Sequence, residues 1–314
     1  MQIVKNGVYS GIILEDYHNK LDLFDGPSVS KSSLKHMLPP HGGSPKKFWG
    51  LWKHNPNHVT PKSTPALNFG RAAHCLMLGD EVFSERFILQ PEKLDGANWH
   101  GNRTACKLWK AEKEDQGLTI VTADQLQTIY RMSEDAKEYP LIKTEGLLNG
   151  KVEQTIVARD PKTGIWLKVR PDNEPANLDG VYADLKTTSS LDEDFLQRQL
   201  FDNGYYLQGA MTRMVCRLNK KPFESFVFIY SLNDDVADTA HVELSEHELD
   251  RGEEAIHWCL EKIAIGLKTG VWPGVQPFKD GTLPIQSKPW AAQKMDTFLK
   301  EQSQIRMDEM ESPQ

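Results

Sequence analysis

The chain has 314 residues, 39% of them hydrophobic and 26% charged, with a formal net charge of −7. That length supports one large domain or two small ones around a true core, and the acid excess excludes nucleic-acid binding by bulk positive charge while leaving a confined basic channel open. No run of about 18 apolar residues occurs, so no transmembrane helix and no membrane association are expected. The first twenty residues lack the apolar segment of a signal peptide. The four cysteines (Cys75, Cys106, Cys216, Cys259) form no C-x-x-C pair, which speaks against a thiolate-bound zinc or iron–sulfur site. Free thiols in a cytoplasmic protein are the expectation.

Residues 1–140 read as mainly helical. Ser30 is placed to cap a helix carrying Leu34, Met37 and Leu38. PKKFWGLWK (45–53) interleaves aromatics with lysines, and HNPNHVTPKSTP (54–65) is a loop by its Pro and Asn content. ALNFGRAAHCLMLGD (66–80) is an apolar helix ending near Gly79. PEKLDGANWHGNR (91–103) reads as a mobile surface loop, and helices follow at about 103–115 and 122–138. The character then changes. KVEQTIVARD (151–160) reads as a strand, DPKTG as a turn, and IWLKVRPD (165–172) as the returning strand of a hairpin. GVYADLKTTS (180–189) is a third strand. Residues 192–219 are helical with a break at Gly204, 224–232 a buried strand, and 239–245 a short one. Residues 245–270 form an amphipathic helix in which Ser245 and Glu248 have capping-box spacing. From about 274 the chain turns Pro/Gly-rich, and 301–314 reads as a disordered or partner-dependent tail. The order predicts an α/β fold with a small mixed central sheet flanked by helices.

D-x-K occurs three times, at Asp135, Asp160 and Asp184. The first falls in a predicted helix and the second in a turn. Only Asp184-Leu185-Lys186 lies on a predicted buried strand. Alternate strand residues share a face, so Asp184 and Lys186 project together while Leu185 points into the core. Asp172 ends the preceding strand, so its carboxylate can approach Asp184. Two carboxylates that close repel one another unless they share a cation. Mg2+ suits them, since it takes oxygen ligands and keeps several waters; the Leu185 main-chain carbonyl offers a further ligand. A lysine beside that cation orients a water or meets charge growing on a phosphate. His74 lies in an apolar helix, where a lone histidine is ordinarily a core residue, and imidazole suits Mn2+ better than Mg2+.

The stretches VSKSSLKHM (29–37), LNFGRAAHCLMLGDEVFSERFI (67–88), RPD (170–172), ADLKTT (183–188), YYLQGA (205–210) and VWP (271–273) occur in this order. Together they resemble the nuclease domain of RecE-type exonuclease VIII, in the PD-(D/E)xK nuclease superfamily. The resemblance implies a nuclease domain over 1–275, with a helical N-terminal portion (1–140), a catalytic α/β core (141–275) and a polar tail (276–314). It implies that Asp172, Asp184 and His74, through the G-x-x-x-H of Gly70 to His74, are metal ligands. Lys186 is then the catalytic lysine, Glu153 helps hold the metal or its water, and Gln208 supports the site with Tyr205 beside it. Ser32 and Arg170 become candidates for a 5′-phosphate; the alternative for the serines is helix capping, true of at least one of Ser30, Ser32 and Ser33. Lys46, Lys47, Trp49 and Trp52 line a DNA channel or else pack inward. Many relatives carry an aromatic residue where this chain has Thr212.

The implied function is a Mg2+-dependent 5′→3′ exonuclease, with Mn2+ accepted. It acts on double-stranded DNA ends and leaves 3′ overhangs for recombination by single-strand annealing. Implied partners are a RecT-like annealing protein and copies of the chain itself in a ring, tetrameric or trimeric. An iron–sulfur single-strand exonuclease of the same fold, and a silent DNA-end-binding module, are the alternatives.

Overall fold

The computed structural model describes residues 2–79, 83–152, 154–176, 178–275 and 286–311. The chain divides into two units, Met1–Gly274 and Val275–Gln314. The larger is mixed α/β. At its centre two parallel strands, Val181–Thr188 and Ser225–Leu232, pair along their whole length. Parallel neighbours need a crossover, and helices Glu193–Asp202 and Tyr205–Leu218 supply it. Gly204 breaks the two helices apart in a left-handed conformation, with φ of 62°, which costs glycine little.

Both faces of this pair are covered. Tyr182, Phe226, Phe228 and Tyr230 join the core built with helix Tyr205–Leu218. Ala183, Leu185, Val227 and Ile229 pack with Leu147 on the other side. That two-sided burial is why SFVFIYSL carries an apolar run instead of an alternation. Thr239–Glu243 flanks the pair on one side, and Asn173–Glu174 with Lys151–Val152 on the other, completing five strands. Helix Glu246–Thr269, capped by the Ser245 hydroxyl accepting from the Glu248 N–H, packs on Tyr205–Leu218. Their approach is close: a Cβ on Gly252 would stand 2.8 Å from the Tyr206 carbonyl oxygen.

A four-stranded sheet runs in the order Gly7–Tyr9, Thr155–Arg159, Trp166–Val169, Ser28–Val29. It adds to one expectation and corrects another. The N-terminal portion, expected to be mainly helical, also supplies two short strands that edge this sheet. The strand expected over 151–160 is two, Lys151–Val152 in the five-stranded sheet and Thr155–Arg159 in the four-stranded one. The hairpin is therefore shared between sheets. Pro171 marks the crossing on the return, since proline has no N–H to extend a ladder.

Residues 91–103 are a short hairpin and not a loose loop. Lys93–Leu94 pairs with Ala97–Asn98 around Asp95 and Gly96, whose φ values are 52° and 76°, a turn for which Asp-Gly is suited. Arg103 donates to the carbonyls of Leu94, Ala97 and Asn98. In the smaller unit, Pro289–Glu311 is a helix, which runs into the 301–314 stretch read as a disordered or partner-dependent tail; Trp290, Met295, Phe298 and Leu299 on it are exposed.

Candidate active site

Asn173 pairs with Ala183 in antiparallel register. The next residue outward on each strand is an aspartate, so the register sets Asp172 against Asp184. Asp172 Oδ2 accepts the Leu185 N–H at 2.6 Å and lies 3.4 Å from His74 Nδ1. His74 comes from helix Pro65–Leu78, capped at its start by the Thr64 hydroxyl and closed by left-handed Gly79. That helix runs beside the central strand: a Cβ on Gly70 would meet Thr187 Oγ1 at 3.6 Å.

Asp184 is 1% exposed. A buried carboxylate is tolerated only when paired and hydrogen-bonded. Here the Gln208 amide donates to Oδ1 and the Lys186 ammonium pairs with Oδ2. Leu185, between them, faces the opposite core with no exposure. Lys186 stands 5.1 Å from the centroid of the Tyr205 ring and 5.9 Å from that of Phe228. Burial opposes its charge, but Asp184 and Asp172 outweigh burial and hold its pKa above the ordinary lysine value. The strand expectation for Asp172, Asp184 and Lys186 is thus realised in geometry, with Gln208 and Tyr205 beside them.

Other sequence candidates fare differently. Glu153 lies outside the described residues. Thr212 is buried and turns its hydroxyl to the Gln208 carbonyl at 2.9 Å. Trp52 donates its indole N–H to the Ser28 carbonyl in the core, and Trp49 stacks on Trp272 with centroids 4.6 Å apart. Trp52 is buried and Trp49 packs in part against the same core, and Lys47 donates to the Gly42 carbonyl. Ser30 and Ser33 form a reciprocal cap, while the Ser32 hydroxyl is 3.1 Å from that of Ser30.

Asp172, Asp184, Lys186 and Gln208 open into a cavity of about 280 Å³ that Arg170, Lys31, Ser30 and Ser32 also line. A second cavity of about 270 Å³ shares His18, Ser30, Ser32 and Lys168 with it, and adds Ser28, Ser33 and Lys53. Lys168 is 3% exposed. Its ammonium donates to the Tyr17 carbonyl and stands 4.4 Å from the Tyr17 ring centroid. Burial, then Lys53, pushes it well below the ordinary lysine pKa. Arg170 donates to the Ile12 carbonyl at 2.6 Å. Lys31 lines the first cavity as well, its ammonium 4.8 Å from the Tyr205 centroid; burial and Lys186 lower its pKa to about 7. Hydroxyls and crowded cations in one concavity form a ready phosphate site.

Sequence reasoning missed Lys31, Lys53, Lys168 and His18. One signal was present: Lys168 interrupts IWLKV, a strand otherwise of apolar residues.

The same cluster fixes a pH response. His54 Nε2 accepts the Ser28 N–H at 3.2 Å, so that nitrogen carries no proton. Burial, then Lys53 and Lys168, lowers His54 to about 4. Burial, then Lys168, Lys53, Arg170 and Arg71, does the same to His18. On unfolding both return toward 6.5, so the unfolded chain binds more protons between those values. Their stabilisation is complete above pH 6.5 and is lost as pH falls to 4. Calorimetry should find a melting midpoint that falls across that window, and less steeply in His18→Asn.

Could this site hold a metal? Among the described residues, no three His, Cys, Asp or Glu side chains converge tightly enough to bind one alone. The donor chemistry nonetheless fits Mg2+, which needs one or two carboxylates and completes its shell with water and phosphate. Asp172 and Asp184 are two such carboxylates, buried and facing one cavity. No helix among the described residues is long and apolar enough to cross a membrane.

A family described as a PDDEXK-like domain of unknown function (DUF3799) matches residues 30–276. No curated protein matches the sequence. Among solved structures, a Eubacterium rectale protein described as "Putative exonuclease" is similar with a TM-score of 0.51 at 14% identity, over 83% of this chain and 90% of that one. That likeness shows the fold. An alkaline exonuclease from Laribacter hongkongensis, LHK-Exo, is similar at 14% identity over 54% of this chain and 86% of that one, with a TM-score of 0.23, too low to argue from.

Proposed function

We propose a function from the premise that the chain belongs to the PDDEXK-like family DUF3799. It is a Mg2+-dependent exonuclease that digests double-stranded DNA from 5′ ends and leaves 3′ overhangs for recombination by annealing. The observation that carries this reading is the Asp172–Asp184 corner with Lys186 and Gln208, opening toward a cation- and hydroxyl-lined cavity.

Asp172, Asp184, His74 and the Leu185 carbonyl would hold the cation, with Mn2+ accepted through the imidazole. When bound, it neutralises charge on the phosphate under attack. The remaining work falls to side chains. The Leu185 N–H and the Gln208 amide fix the two carboxylates, so little reorganisation is needed when substrate arrives. Lys186 turns its ammonium toward the scissile phosphate and the attacking water. Ser30, Ser32, Arg170 and Lys168 hold a terminal 5′-phosphate, which sets the distance from the chain end to the cut and hence release of single nucleotides. An overall acidic chain can do this because Lys31, Lys53, Lys168, Arg170 and Lys186 line these two adjoining cavities. A ring of subunits around the duplex and a RecT-like annealing partner complete the proposal, and both rest on the family resemblance.

The test compares linear with covalently closed circular duplex DNA, in Mg2+ and in EDTA. Mononucleotides released only from linear DNA in Mg2+ support the reading. Release from circles, or none from either substrate, sinks it.

A further inference from the structure

Lys31 is assigned no role by the family motif or by the capping of its helix. Its neighbours Ser30 and Ser33 are turned on each other, which leaves the lysine to project away from that cap. Its ammonium stands 4.8 Å from the Tyr205 ring centroid, and that of Lys186 stands 5.1 Å from the same centroid. At most the sum of those distances separates two lysines in one cavity with the aspartates. Lys186 spends its charge on Asp184. Lys31 has no carboxylate within ion-pair distance among the described residues.

Cavity membership orders the groups along a bound strand. Ser30, Ser32, His18 and Lys168 line both the aspartate cavity and the cationic cavity. Lys186 lines the aspartate cavity and a third one, of about 500 Å³, where it meets Tyr205, Leu67, Phe87 and His74. Of these three cavities Lys31 lines the aspartate one, adjoining in sequence the two serines that face the cationic one. On the reading proposed above, the terminal nucleotide occupies that cationic side. The scissile phosphate then has Lys186 toward the third cavity and Lys31 toward the terminal nucleotide.

We propose that Lys31 is a catalytic residue that stabilises the leaving 3′-oxygen of the terminal nucleotide. In this step a P–O bond forms from water and the P–O3′ bond breaks. The water's proton passes to solvent, and the 3′-oxygen, hydrogen-bonded by the Lys31 ammonium as its charge grows, ends as a hydroxyl with a proton from solvent. Phosphate stays on the shortened strand. A donor aimed at charge that develops only in the transition state is worth about a hundredfold in rate.

This inference rests on the nuclease reading, and the experiment separates the two. Single-turnover rates are measured in Mg2+ for the wild type, Lys31→Met and Lys31→Arg, on 5′-phosphorylated duplexes. The terminal linkage is either the natural 3′-oxygen or a bridging 3′-sulfur, whose thiolate carries its charge without help. Lys31→Met should lose about a hundredfold on the oxygen linkage and almost nothing on the sulfur linkage, with Lys31→Arg retaining much of the rate. Equal losses on both linkages, or no loss on either, would overturn the assignment to Lys31. A wild type that cuts neither substrate fails the nuclease reading instead.

Discussion

Asp184→Asn is expected to lower Mg2+-dependent release of nucleotides from linear duplex DNA at least about a thousandfold, with the fold intact. Asparagine keeps the shape and one carbonyl acceptor for the Gln208 amide, so the packing around helix Tyr205–Leu218 has no reason to change. What it removes is the buried charge that Lys186 pairs with and that a divalent cation requires. Asp172→Asn should be nearly as damaging, because Asp172 Oδ2 is held by the Leu185 N–H and His74. The control is a cooperative melt and an unchanged circular dichroism spectrum in each variant. Activity within tenfold of wild type in Asp184→Asn would remove the corner from the chemistry.

The second large effect is at Lys168, and stability and activity should move in opposite directions. Burying an ammonium costs several kcal/mol, and Lys168 is crowded by Lys53 as well as buried. Lys168→Met removes that cost and keeps most of the side-chain volume. The Tyr17 carbonyl loses a donor, a penalty of about 1 kcal/mol, so the desolvation relief wins and the melting midpoint rises. On the proposed function the same variant also loses a charge that holds the 5′-phosphate. Its rate on 5′-phosphorylated ends should fall at least about tenfold, toward the rate on 5′-hydroxyl ends, since a charge-assisted contact is worth about 1.5–3 kcal/mol. A lower melting midpoint with an unchanged preference for phosphorylated ends would show that Lys168 is a structural lysine. Retention of such a destabilising group is the usual mark of a functional site.

Much of the aspartate corner was legible in the sequence because a strand has a simple period. One residue of alternation decides that Asp184 and Lys186 share a face and that Leu185 does not, and the structure places them so. Helix ends were legible where local chemistry fixes them, as at Ser245, Gly204 and Gly79. What escaped depends on partners distant in the chain. Gly7–Tyr9 pairs with Thr155–Arg159, and Tyr17 meets Lys168 across 151 positions; no local pattern encodes either. The hairpin spanning 151–174 looked continuous because each half is good strand sequence, and only the competition between two sheets splits it. Asp-Gly at 95–96 was a turn signal overridden by the polarity of its surroundings. Lys31 escaped for another reason: its serine neighbours suggested capping, and burial of a lysine cannot be read from a cap motif.

The central claim is that this corner hydrolyses DNA from its 5′ ends with a divalent cation. The most direct test follows two end labels on one linear, 5′-phosphorylated duplex incubated with the wild-type chain. In Mg2+ the 5′ label is expected to leave first, as a mononucleotide, while the 3′ label stays on a shortening strand, and EDTA is expected to stop both. Prior loss of the 3′ label, or equal release in EDTA, would contradict it.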